Sequence, residues 1–308
     1  MDRLRGIACG AASGAAYGLN PLFALPLFSA GMGVDSILFY RFFAAAAAIG
    51  ALMLVRGEDF RASPAQLRCL LAMAFLMAAS SETLFWGYTF MPAGVASTIL
   101  FLYPVFVASI MALVFGERFT WVSAGAVALS FAGVALLYGG GGESLDPFGV
   151  FVVVLSALTY ALYLIAINKS GIGGLGGGKI SFYALLMGSG FLLLKAGLSG
   201  GLQLPPDARA VANLAMLAVV PTLLSTILAV YSIRYVGSTA TAILGALEPL
   251  TAVCVGVAVF GEPVTARLAL GVLAIVAAVS MVAATPALLG FSARAGAFAR
   301  RISGRRAG

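Results

Sequence analysis

Residues 88–137 read YTFMPAGVASTILFLYPVFVASIMALVFGERFTWVSAGAVALSFAGVALL, and they decide the fold. Two apolar runs, 93–114 and 121–138, are separated by Gly116-Glu117-Arg118, the only charges in the stretch. Each run comes close to the roughly 20 residues that a helix needs to cross the hydrocarbon core of a bilayer. The same reading carried outward gives ten candidate spans, at roughly 5–29, 34–55, 66–87, 93–114, 121–138, 148–168, 178–198, 210–234, 238–260 and 266–287. The loops between them are short.

Composition agrees. The 308 residues are 62% hydrophobic and 9% charged, with mean hydropathy +1.07. A water-soluble globule cannot hide that much apolar surface, so lipid is the solvent for most of the chain. Disordered, collagen-like, nucleic-acid-binding and secreted disulfide-rich classes are excluded with it. There is no His, and Cys9, Cys69 and Cys254 are scattered, so neither a metal site nor a disulfide framework is expected. Asp occurs only in loops or near span ends, which leaves no catalytic constellation for an intramembrane enzyme. No cofactor is expected.

The net charge of +7 is distributed as an orientation signal. With the N-terminus in the cytoplasm, fourteen Lys and Arg fall on inside segments and three (Lys195, Arg209, Arg267) outside, with Arg41 inside a span. An even number of spans puts both termini inside. The first run follows Arg3 and Arg5 as a signal peptide would, but it is longer than such a segment and is read as a retained span.

The chain repeats itself. Pro104 precedes Gly116-Glu117 at the spacing at which Pro249 precedes Gly261-Glu262, and Tyr17 precedes Phe39-Tyr40 at the spacing at which Tyr160 precedes Phe182-Tyr183. Five spans per copy is odd, so the second copy lies inverted. The expectation is an all-α integral membrane protein of ten transmembrane helices in two inverted five-helix repeats, 1–142 and 143–290, with a basic cytoplasmic tail at 291–308. Inverted repeats characterise secondary transporters, whose site lies near the midplane between the halves.

The stretch 88–137 resembles the EamA domain of the drug/metabolite transporter superfamily. The resemblance rests on the Tyr-start segment, the mid-helix Pro104, Gly116-Glu117-Arg118, and a following helix with spaced Gly125 and Gly133. The second copy, 231–284, carries Glu248-Pro249 and Gly261-Glu262. It departs by one extra residue before Gly271 and by Val279 where a second glycine would fall. Arg41-Phe42 resembles the family's Arg-Phe in the second helix. The resemblance implies a carrier that moves a small metabolite such as an amino acid, outward in preference to inward, across a bacterial inner membrane by alternating access. It implies cavity walls from the first, third, fourth, sixth, eighth and ninth spans. It leaves the substrate open, because relatives move amino acids, sugars, nucleotide precursors and drugs. The alternative is a drug-cation/proton exchanger. Partners are then the substrate, the bilayer and, as candidates, protons and a second copy of the chain.

Polar residues inside spans are the candidate site. Ser13, Tyr17 and Asn20 form one stripe, and Ser156, Thr159/Tyr160 and Tyr163 form another, each facing protein or water and not lipid. Cavity lining and interhelical hydrogen bonding both fit them. Glu82, Trp86 and Tyr103 complete the expected substrate-binding set with Glu248. Arg41 and Glu82 both fall in the outer third, so they are an ion-pair candidate, with snorkelling the alternative for Arg41. Glu248, near the midplane without a basic partner in sequence, is the first proton-coupling candidate, and Glu82 the second. Hydrogen bonding for helix packing is the alternative for Glu248. Pro104 and Pro249 are candidate helix hinges. Gly10, Gly14 and Gly18 allow close helix approach, whether as a sliding or a static contact. The loop 171–178, GIGGLGGG, matches phosphate-binding letter patterns but lacks their strand context and is read as a linker.

Overall fold

The protein was analysed as a computed structural model, which describes residues 2–116, 121–138, 145–170, 172 and 175–281. The Glu117 position, the 139–142 loop and the tail 291–308 lie outside them.

All described regular structure is helical. The helices are α1 (Asp2–Gly18), α2 (Asn20–Ser29), α3 (Val34–Val55), α4 (Pro64–Gly87), α5 (Ala93–Leu100), α6 (Tyr103–Phe115) and α7 (Trp121–Tyr138) in the first half. The second half holds α8 (Pro147–Lys169), α9 (Gly177–Leu198), α10 (Ala208–Ala218), α11 (Ser225–Leu244), α12 (Leu247–Phe260) and α13 (Ala266–Met281). A π-helical turn, Val219–Leu224, joins α10 to α11. Among the described residues, six helical stretches are long and apolar enough to span a membrane, beside shorter apolar helices.

Local chemistry sets the ends. Ser63 and Gln66 form a reciprocal capping box at α4, with Pro64 at the first turn where its missing N–H costs nothing. Asp146 caps α8 and Asp207 caps α10 through backbone N–H groups. The repeated Gly-Glu landmark marks where α6 and α12 stop. Gly116 and Gly261 have φ of 68° and 67°, the left-handed conformation that ends a helix and that only glycine adopts without strain.

Both proline landmarks follow breaks. The fourth span is interrupted at Phe101–Leu102 just before Pro104, and the ninth at Gly245–Ala246 just before Pro249. The first span is also broken, at Leu19 between α1 and α2.

The halves interlock by exchange. Helix α1 packs on α11, α8 packs on α4, α3 packs on α9, and α5 packs on α12. Two of these crossings carry the same clasp. At α1–α11, Ser13 Oγ donates to Ser225 O (2.8 Å) and Ser225 Oγ donates to Ser13 O (3.0 Å). At α4–α8, Ser80 Oγ donates to Ser156 O (2.9 Å) and Ser156 Oγ to Ser80 O (2.6 Å). In both, the two hydroxyl oxygens are 3.3 Å apart.

Gly10, Gly14 and Gly18 make the α1 face on which α11 and α12 rest. A Cβ at Gly14 would stand 2.9 Å from Leu244 O, and one at Gly10 would stand 2.6 Å from Leu244 Cδ1. At Gly14 and Gly18 the contact is with partner backbone, and at Gly10 with the Ser232 and Leu244 side chains, the close approach that glycines four apart allow.

Candidate functional site

Polar side chains from six spans converge in the interior. Tyr17 comes from α1, Arg41 from α3, Tyr88 from the C-cap of α4, Tyr103 from the first turn of α6, Tyr160 and Tyr163 from α8, and Glu248 from the first turn of α12. Tyr103 and Tyr160 meet edge to face at 4.8 Å, and Tyr160 stacks on Tyr163 at 5.9 Å. Tyr17 has both Arg41 and Glu248 as electrostatic neighbours, and so does Tyr88. Tyr103 and Tyr160 also have Glu248 as an electrostatic neighbour. Tyr17, Tyr103 and Tyr160 keep partial surface exposure although they lie deep in the protein, as the walls of an internal cleft do.

Prolines build part of this site. Pro21 cannot donate to Tyr17 O, and the Asn20 side-chain amide takes that carbonyl instead (2.8 Å). Pro221 likewise frees Leu217 O, which accepts the Thr222 hydroxyl (3.1 Å). That bond points the Thr222 proton away and leaves its oxygen to accept from Arg41 Nε (2.9 Å). The guanidinium carbon lies 5.4 Å from the centre of the Phe85 ring. Arg41 is only 3% exposed, so it does not snorkel.

The expected Arg41–Glu82 pair is not formed. Glu82 is ion-paired with Lys195, which also binds Asp35 at 3.0 Å. This cluster ties α3, α4 and α9 together at one end of the bundle. Trp86 is 43% exposed and packs edge-on against Phe90 and Phe148, so it faces outward with Glu82 and not into the tyrosine cleft. Asn20 is buried beside Tyr17, its amide oxygen unpartnered. Of the two polar stripes, the serines make the interhelical clasps, Thr159 bonds its own helix, and the tyrosines line the cleft. The second span, through Arg41, joins the walls that the resemblance assigned to other spans.

Sequence reasoning missed Thr222 and Tyr88. The signal for Thr222 was present: Pro221-Thr222, like Asn20-Pro21, places a hydrogen-bonding side chain beside a proline within an apolar run.

Tyr88 is also part of the lining of a cavity of about 680 Å³ at the end of the bundle that carries Ser29, Thr89, Arg209 and Phe260. That volume lies within the range of small-ligand sites. At this end Glu262 folds back over α5 and accepts from Ala93 N (2.8 Å) and Gly94 N (3.4 Å). Burial pushes its carboxyl up, and the two N–H groups pull it back. At the other end, Lys179 reaches Asp59 (3.6 Å) and Arg61 O (3.1 Å), and Tyr183 donates to Phe60 O (2.6 Å).

A helical bundle whose halves exchange partners around a polar interior, with helical stretches long and apolar enough to span a bilayer, is a multi-pass membrane architecture. The model of the EamA-like transporter family matches residues 4–139 and again 147–284, and the chain belongs to that family. Over 117 residues, 38% of this chain, it is 32% identical to a protein of Streptantibioticus cattleyicolor named a probable terminal-alkyne amino-acid exporter. The match spans 39% of that relative's length. A solved crystal structure aligns with a TM-score of 0.65 at 18% identity, covering 90% of this chain and 95% of its own, a likeness of fold.

Proposed function

We propose that the chain exports a small metabolite, an amino acid being the leading class, across the bacterial inner membrane by alternating access of two inverted five-span repeats. The repeats are 1–142 and 143–290, both termini are cytoplasmic, and the tail is 291–308. The observation that carries this reading is the polar interior, where Tyr17 has both an arginine and a carboxylate as electrostatic neighbours. The two serine clasps and the two broken helices at Pro104 and Pro249 support the inverted pairing. The amino-acid exporter name of the Streptantibioticus relative supports the substrate class. Glu248 is the group that takes and releases a coupling proton.

Counterflow in proteoliposomes tests the function. Vesicles loaded with each common amino acid should accelerate uptake of its labelled form, and no acceleration with any of them ends the reading. Glu248→Gln should remain folded and lose the pH dependence of transport, while Glu248→Asp keeps it. Unchanged pH dependence in Glu248→Gln would make Glu248 a packing residue. Cysteines introduced at Gly141 and Ser303, in a background with Cys9, Cys69 and Cys254 replaced, test the orientation, since only position 141 should react with an impermeant reagent in intact cells.

A second reading is favoured by the ring wall Tyr103, Tyr160 and Tyr163 near Glu248, which suits a lipophilic cation exchanged for a proton. Glu82 is already neutralised by Lys195, so this reading rests on Glu248. Uptake of a lipophilic cation with stoichiometric proton release would establish it in place of amino-acid export.

A further inference from the structure

Among the described residues, Arg41 and Glu248 are the two charged groups of the interior cleft, and neither is ion-paired. Arg41 is 3% exposed and Glu248 8% exposed. Among the described residues Arg41 makes no ion pair, and its side-chain hydrogen bonds go from Nε to Thr222 and to Tyr17. Glu248 likewise has no basic partner. A buried charge is retained only where something compensates it, and a guanidinium held by two hydroxyls and one ring still lacks a counter-charge. With Nε committed to Thr222 and one further bond to Tyr17, the guanidinium still carries terminal N–H donors for the two-point contact that a carboxylate accepts.

Resting on the transporter reading above, we propose that Arg41 and Glu248 are the two poles of the substrate site. Arg41 binds the carboxylate of a zwitterion and Glu248 binds its ammonium. Tyr17 has both poles as electrostatic neighbours, and its side chain is hydrogen-bonded to Arg41. The rings of Tyr103, Tyr160 and Tyr163 form the remaining wall, so the substrate's side chain meets aromatic surface. The substrate class is an α-amino acid with an apolar side chain. Thr222 is a positioning residue that fixes the guanidinium's rotation through the π-helical turn. The same two poles reject a simple amine, a simple carboxylic acid and a sugar, each of which leaves a charge unpaired.

The test uses the purified full chain in proteoliposomes with leucine, leucinamide and 4-methylpentanoate as probes. Leucinamide lacks the carboxylate and 4-methylpentanoate lacks the amine. Wild type should exchange leucine and accept either analogue at least about tenfold more weakly. Arg41→Lys keeps the charge without the fork and should weaken leucine by about tenfold while leaving leucinamide unchanged. Glu248→Gln should abolish the preference for leucine over 4-methylpentanoate. If Arg41→Met is obtained folded, it should treat leucine and leucinamide alike. Wild type that exchanges leucine and leucinamide equally well overturns the two-pole site and leaves the transporter reading standing. Absence of exchange with leucine and with every other amino acid ends both.

Discussion

The α1–α11 and α4–α8 crossings are built alike and finished differently. Each is locked by a pair of serines that donate to one another's backbone. Yet α4 and α8 run unbroken for 24 and 23 residues, whereas α1 stops at Gly18 before Asn20-Pro21 and α11 is entered through a π-helical turn around Pro221. The fold therefore does not need the irregularities, since the regular crossing does without them. What they add is chemistry. Each proline frees a carbonyl, a neighbouring side chain takes it, and one of those side chains, Thr222, presents its oxygen to Arg41.

Crowding at the irregular crossing gives the largest expected effect. Gly14→Leu forces a side chain into Leu244 O and Gly245 Cα and should destabilise by about 3 kcal/mol, the upper end of overpacking costs. Gly125→Leu, on α7, meets only Met281 Cε at 3.7 Å and should change the melting temperature in detergent little. Equal losses would mean that the α1 contact is no tighter than an ordinary lipid-facing position.

Next comes the polar difference between the crossings. Thr222→Val removes the hydroxyl that serves both Leu217 O and Arg41 Nε, and should cost about 1–3 kcal/mol together with a loss of substrate affinity. Ser80→Ala, in the regular crossing, should cost about 1 kcal/mol and leave affinity intact. Thermal melts paired with ligand titration separate the two outcomes, and an affinity loss in Ser80→Ala would erase the distinction.

A smaller effect concerns the ion cluster. Glu82→Gln should cost no more than about 1 kcal/mol, because the pair is partly exposed. A second change at Lys195→Met should recover part of the loss, and one at Arg41→Met should not. Rescue by Arg41→Met would restore the pairing that sequence depth suggested.

The smallest effect lies at Asp59, which is open to solvent beside Lys179. The Arg61 backbone N–H, with Lys179 adding to it, holds the Asp59 carboxyl below its ordinary value. A depressed carboxylate stabilises above its unfolded-state pKa, and that contribution fades as pH falls through its folded-state value. Asp59→Asn should therefore lower the melting temperature slightly at neutral pH and not at all in acid.

Much of the architecture was legible because its signals are one-dimensional. Run length marked the six described stretches long and apolar enough to span, Pro104 and Pro249 marked the breaks, and Gly116 and Gly261 marked the helix ends. The tyrosines at 17, 160 and 163 were legible as polar faces on apolar helices. The ion pairing was not. Depth along a span can be counted from its ends, and on that count Arg41 and Glu82 are level. Which way each points around its helix depends on helix packing. Packing turns Glu82 to Lys195 and Arg41 inward to a threonine. Trp86 was misplaced for the same reason, since one turn from Glu82 shares its outward face.

The serine clasps carry a mechanical consequence. Each has two bonds running in opposite senses between the same pair of backbones, so sliding either helix along the other lengthens both. Tilting about the crossing point lengthens neither by much. Each clasp is thus a pivot that forbids translation, and two pivots define a line. Relative movement of the elements they join is reduced from six rigid-body freedoms to a turn about one axle.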